Sequence, residues 1–147
     1  DPLIIVPPKR LKDTPRGVRC DPPADLLAVY PTLVAATGVT PEKSDKSLDG
    51  LSLLPWIKQP TAEKKRPAIT TIYAHNHSLC NTRYRYTRYA DGNEELYDRK
   101  KDPHEFDNLI GQKKTRKDLQ AVVDELSAWI PKKEPRGPDL VDDRVKP

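Results

Sequence analysis

The side chains best suited to chemistry in this 147-residue chain are its three histidines and two cysteines. His75 and His77 flank Asn76, and Cys80 follows three residues later. On a strand, residues two apart share a face, as two ligands to one ion require. A zinc site wants three or four ligands, however, and the remaining histidine, His104, stands in a distant loop. The same cluster reads equally as a polar turn at a sheet edge, or as a loop reaching into an active site elsewhere. In the second case its imidazoles serve as adaptable donors and acceptors. Cys20 opens a Cys-Asp-Pro-Pro-Ala segment, but a thiol needs a base, a metal or a helix N-terminus to become reactive. No histidine is near it in sequence, so it reads as structural. Arg83, Arg85 and Arg88 interleave with Tyr84, Tyr86 and Tyr89. That pattern suits a platform on which nucleic-acid bases stack, or a basic sheet gripping an anionic glycan. An amphipathic strand with inward Tyr and outward Arg stems looks the same. Asp98, Asp102 and Glu105 resemble paired catalytic carboxylates or a calcium loop, yet they lack the glycine and terminal bidentate Glu of such a loop. Asp102-Pro103 more simply starts a turn. No phosphate-cradling glycine loop, Gly-x-Ser-x-Gly elbow or metalloprotease histidine motif occurs. No complete catalytic set is present.

These residues must be positioned by a chain of modest apolar content. It is 35% hydrophobic and 33% charged, with 16 Pro and a formal charge of +4. Both charge signs are interspersed, so no strong polyanion partner is implied, and nucleic acid is not expected. No stretch approaches the ~20 apolar residues of a membrane span, and two Cys are too few for a disulfide scaffold. The run Leu3, Ile4, Ile5, Val6 reads as a strand buried on both faces, yet no strand partner lies near it. With no Met in the chain, the expectation is a piece of a longer protein. Residues 25–30 read as a short turn, Pro31 as the first residue of a helix and Gly38 as its close. A charged linker, residues 59–66, precedes a β-branched strand over residues 68–73. Residues 84–89 alternate as a two-faced strand, Asp91-Gly92 forms a hairpin turn, and Glu95-Leu96-Tyr97 returns antiparallel. Leu119, Val122, Val123, Leu126, Trp129 and Ile130 fall on one helical stripe. Thr115 is its expected N-cap and Pro131 its stop. Residues 132–147 read as a disordered tail.

Five segments in order give the chain a resemblance. Leu96-Tyr97-Asp98, Asp102-Pro103, Glu105 and Asn108-Leu109 resemble the "LYD…DP.E..NL" segment of the sulfatases of the alkaline-phosphatase superfamily. Tyr30-Pro31-Thr32-Leu33 with Gly38 is similar to their "YPTL…G" helix. Leu48-Asp49-Gly50 with Ser52-Leu53-Leu54-Pro55 is similar to their "LDG.SLLP" segment. Residues 83–92 resemble the strand pair before the LYD motif, particularly in iduronate-2-sulfatase-like bacterial members, and residues 2–8 the "PLIIVPP" strand. The likeness runs over about residues 2–131.

The resemblance implies an α/β fragment. Residues 1–60 would be the C-terminal end of an alkaline-phosphatase-like α/β catalytic domain. Residues 61–131 would form a small antiparallel β-sheet with a packed C-terminal helix. It also implies a sulfuric ester hydrolase whose intact form uses a formylglycine and calcium to cleave sulfate esters, including those of sulfated glycans. The family's nucleophile, metal ligands and catalytic bases lie upstream of the "PLIIVPP" strand. The 147-residue chain is therefore expected to be inactive alone, with no catalytic or metal residue of its own. Cys20 departs from the nucleophile motif, with Pro23 and Ala24 in place of a small residue and Arg. Ala28 stands where Asp is common in the family, and Cys80 where Arg is common. In the intact enzyme, His75, Asn76 and His77 are the expected substrate contacts. By resemblance the protein would be periplasmic or secreted; nothing in the residues indicates oligomeric state.

Overall fold

The computed structural model describes residues 2–43, 49–112 and 116–132. The described residues fall into two compact units, one ending at Ala68 and the other beginning at Ile69.

The first unit is built from short helical pieces. A 3-10 turn, Leu26–Ala28, leads into α1, Val29–Thr37, which closes on Gly38 in the left-handed conformation at φ 71°. The helix thus starts two residues before Pro31. Proline is tolerated there because the first-turn N–H groups have no intrahelical acceptor. The second helix, α2, spans Leu54–Lys58 with Pro55 in its first turn.

Two residues of the family-like segments explain how these pieces lock. Thr32 Oγ1 donates to the Ala28 carbonyl at 2.5 Å and accepts the Leu53 N–H at 2.7 Å, both buried. Gly50 brings its backbone against the 3-10 turn, where a Cβ would lie 1.9 Å from the Leu27 carbonyl oxygen. Gly50→Ala is therefore expected to destabilise this unit by about 1–3 kcal/mol, as other forced overpacking does. Faster amide exchange in residues 26–37, with the second unit unchanged, would register it.

The expected strand at residues 3–6 does not form. These residues have no ladder partner and are exposed, Ile4 by 81% and Val6 by 77%. A strand has no stability without a neighbour for its N–H and C=O groups, and the described residues provide none.

A four-stranded antiparallel sheet in sequential order, in the second unit from Ile69 onward, comprises β1 Ala68–Thr71, β2 His77–Cys80, β3 Tyr84–Arg88 and β4 Glu94–Asp98. The alternating residues after Arg83 form β3, and Gly92 at φ 86° turns the chain into β4. Their register pairs Tyr86 with Leu96 and Arg88 with Glu94. After a 3-10 turn, Leu109–Gln112, comes α3, Lys117–Ser127.

One sheet face and α3 enclose the core: Leu79, Tyr84, Tyr86, Leu96, Leu119, Val123, Leu126 and Ile130. The helix ends earlier than its apolar stripe. Trp129 follows the last turn and is 40% exposed, whereas Ile130 remains buried. Thr115 lies outside the described residues, as does the expected tail beyond Lys132; Arg116 holds the N-cap position without a side-chain cap bond.

Candidate functional site

Strand geometry separates the residues that sequence grouped together. Residues 73–75 form the tip of the β1–β2 hairpin, which closes with the Ile72 N–H donating to the Asn76 carbonyl at 3.1 Å. His75 therefore sits in the turn, exposed, at φ 64°. His77 begins β2 on the core-facing side and is only 2% exposed, with its Nδ1 3.0 Å from Thr71 Oγ1. Asn76 spans two hairpins. Its Nδ2 donates to the Ala74 carbonyl at 2.9 Å, and its Oδ1 accepts the Ala90 N–H at 3.2 Å. Of the three expected contact residues, His75 faces solvent, Asn76 braces the turn and His77 belongs to the interior. Tyr73, at φ 56° and 52% exposed, shares the tip with His75. Sequence reasoning passed over it because residue type alone carries no sign of a positive φ.

Among the described residues, no three His, Cys, Asp or Glu side chains stand close enough to hold an ion. His104 stacks on Phe106 with ring centroids 5.6 Å apart. The calcium implied by the resemblance finds no fitting donor set among the described residues.

Two of the three arginines of the alternating segment, Arg83 and Arg85, are engaged by acids. Arg83 Nη2 donates to Asp98 Oδ2 at 2.7 Å and its Nε to the same oxygen at 3.1 Å. Arg85 Nε lies 3.0 Å from Glu105 Oε1 as an ion pair without hydrogen-bond alignment. Arg99 reaches the same Glu105 oxygen at 3.4 Å, and its Nη1 donates to Cys80 Sγ at 2.9 Å. Arg88 stands opposite Glu94 across the β3–β4 ladder. A basic surface for polyanions needs uncompensated charge, and Asp98 and Glu105 compensate two of these guanidiniums.

The carboxylates of the LYD-type segment are brackets. Asp98 Oδ1 also accepts the Lys100 N–H at 3.2 Å, and Asp102 Oδ2 accepts the Asp107 N–H at 2.8 Å. Asn108 Oδ1 accepts the N–H groups of Leu96 and Ile110, tying β4 to the 3-10 turn. Asp98 and Glu105 thus face guanidiniums, and Asp102 a backbone N–H.

The hydrogen bond from Arg83, then the charge of the same guanidinium and backbone N–H groups, hold the Asp98 carboxyl below its ordinary value despite burial. A depressed folded-state pKa contributes stability above the unfolded carboxylate value near 4 and loses it as the pH falls below that value. Arg83 is 46% exposed, so the pair is screened and the effect small. Asp98→Asn is expected to lower stability near neutral pH and to flatten the acid limb below about pH 4. Thermal melts of both proteins across that range provide the check.

Three tyrosines of the second unit interact with acids of or near β4. Tyr86 Oη donates to Glu94 Oε1 at 2.5 Å, and burial followed by that bond pushes its pKa up. Tyr89 and Tyr97 are likewise shifted up, first by burial and then through Glu95. Tyr89, Asp91, Asn93, Glu94, Glu95 and Asn108 line a shallow open depression. The Glu94 carboxylate and the Asn108 amide there already serve Tyr86 and the backbone.

In the first unit, Cys20 is exposed, with its Sγ 3.4 Å from the Pro60 carbonyl. Arg66 and Asp25 form a buried ion pair, Nη1 to Oδ2 at 2.6 Å. Lys64 donates to the Pro23 carbonyl and lies 5.7 Å from the Trp56 ring centroid; burial lowers its pKa. Among the described residues no helix is long and apolar enough to cross a membrane.

Comparison with known proteins places these brackets in context. No protein-family model matches the chain. It is 32% identical over 131 residues to a protein named sulfatase from Formosa agariphila, a match covering 89% of this chain and 24% of that protein. It is 34% identical over 123 residues to a delta 4,5-hexuronate-2-O-sulfatase from Bacteroides thetaiotaomicron, covering 70% of this chain and 24% of the relative. The solved structure of BT1596, a 2-O GAG sulfatase, superposes with a TM-score of 0.50 at 30% identity over 69% of this chain and 23% of its own. The chain spans about a quarter of the length of the curated relatives it matches.

Proposed function

We propose that this chain, which belongs to the sulfatase family, supplies the C-terminal scaffold of a sulfuric ester hydrolase acting on sulfated sugars. The observation that carries this reading is the match through both units to sulfatases of about four times the length. The residues of the family-like segments support it by what they do here. Thr32 and Gly50 lock α1 against the segment before α2, and Asp98 and Asn108 fix β4. They hold a fold and present no nucleophile.

The apolar surface of the first unit fits the same reading. Nine-residue α1 has no charged side chain, and Leu26, Leu27, Tyr30 and Leu33 are all exposed. A helix with no charged face and with exposed aliphatic side chains is better suited to an interior than to water. In the working enzyme this surface and residues 3–6 would lie against the rest of the α/β catalytic domain. The ester-cleaving groups, with the formylglycine and calcium that the resemblance implies, would come from that domain. There, a hydrated aldehyde would supply the nucleophile and a divalent cation would balance charge on the sulfate oxygens. The substrate class follows the 2-O-sulfated hexuronate named for one relative, and the β1–β2 hairpin tip would face the organic part of the ester. A periplasmic or secreted location belongs to the same proposal.

The test compares the chain with the product of its complete reading frame on an unsaturated 2-O-sulfated hexuronate disaccharide. Sulfate release by the longer product and none by the 147-residue chain is expected. Turnover by the chain alone, lost in Cys20→Ala, would overturn the reading.

A further inference from the structure

The tip of the β1–β2 hairpin holds two side-chain-bearing residues in the left-handed region, Tyr73 at φ 56° and His75 at φ 64°, with only Ala74 between them. Glycine adopts this conformation without penalty; a bulky ring such as that of Tyr73 is an outlier there, whereas His visits it more often. The core does not demand either side chain, since both are exposed. Strain of this kind persists only where surrounding contacts over-determine it, and it concentrates at ligand clamps.

Those contacts are present. The hairpin-closing bond from Ile72 to Asn76 fixes the base of the turn. The Asn76 carboxamide holds the Ala74 carbonyl inside the turn and the Ala90 N–H on the neighbouring β3–β4 hairpin. Beneath it, His77 is buried beside Thr71. The turn is braced from two hairpins while presenting a phenol ring and an imidazole outward.

We propose that this tip is a preset sugar-recognition element. Tyr73 offers its ring to the C–H face of a pyranose, and His75 donates to an anionic or hydroxyl oxygen of the same sugar. Asn76 is a positioning residue that fixes both. The identity of the sugar, a sulfated hexuronate, rests on the function proposed above. Pre-organisation is the advantage gained, because a tip already held in its bound shape has less freedom to lose.

The experiment is a backbone-amide NMR titration of the 147-residue chain with an unsaturated 2-O-sulfated hexuronate disaccharide and its desulfated form, alongside thermal melts. Shifts confined to residues 72–76 and Ala90 are expected. Asn76→Ala should weaken binding by about tenfold with the core signals unmoved. Tyr73→Gly and His75→Gly should abolish binding while raising the melting temperature by a few degrees, because they relieve strain. Glycine variants that melt lower, or a titration to the solubility limit with no shifts at the tip, would overturn the proposal. Equal binding of both disaccharides would leave the recognition element standing and count against a sulfated substrate. If the complete reading-frame product cleaves the ester and the glycine variants leave its KM unchanged, the recognition element falls and the sulfatase reading stands.

Discussion

Arg66→Ala is expected to cost the first unit about 3–5 kcal/mol, the penalty for leaving a buried charge without its partner. Both side chains are almost fully enclosed, Arg66 at 8% and Asp25 at 5% exposure, and their contact is 2.6 Å. Truncation to Ala removes the guanidinium from an enclosed carboxylate, which is costly for a charged group. The pair joins the start of the 3-10 turn to the segment entering β1, two points 41 residues apart. The double variant Asp25→Asn with Arg66→Met should recover most of the loss, since a buried pair is often replaceable by neutral groups of similar volume. Amide exchange is the suitable readout, because two units need not unfold as one. Fast exchange limited to residues 25–66 in Arg66→Ala, slowed again in the double variant, is the expected pattern. A cost below about 1 kcal/mol would place the pair among the screened ones.

Leu96→Ala is expected to destabilise the second unit by about 2–5 kcal/mol. Leu96 is 0% exposed, sits opposite Tyr86 in the β3–β4 ladder and belongs to the cluster between sheet and α3. Its backbone N–H is held by Asn108, so the strand has little freedom to collapse into the space left behind. The cavity cost adds to the lost transfer energy where a site cannot relax. Denaturant unfolding followed by Trp129 fluorescence in a Trp56→Phe background should show the midpoint fall with an unchanged slope. A shift under 1 kcal/mol would mean that this core is loosely packed.

How far the fold was legible depended on whether its signals were local. The alternation over residues 84–89, the Asp91-Gly92 turn and the stripe from Leu119 to Leu126 each carry their period within one element, and each forms as read. The strand His77-Ser78-Leu79-Cys80 has too few residues to show a period. It exists because β3 pairs with it, His77 to Arg88 and Leu79 to Tyr86. Residues 3–6 fail for the opposite reason: a strong local signal without a partner among the described residues.

The candidate site shows the same division. His75, Asn76 and His77 are adjacent in sequence, but one turn and one strand alternation send them to solvent, to a neighbouring hairpin and to the core. The inclusion of Tyr73 came from its backbone conformation, which no residue pattern encodes. The buried partnership of Asp25 with Arg66 was equally invisible, because charges so far apart in sequence meet only through tertiary packing.

The central claim is that the uncharged helix α1 and the aliphatic residues 3–6 form an interior surface of a larger sulfatase fold. Hydrogen exchange of residues 3–6 and 26–37, compared between the 147-residue chain and the product of its complete reading frame, tests this most directly. Rapid exchange in the chain alone, slowed by at least about a hundredfold in the longer product, is the predicted result. Equal rates in the two proteins would contradict it.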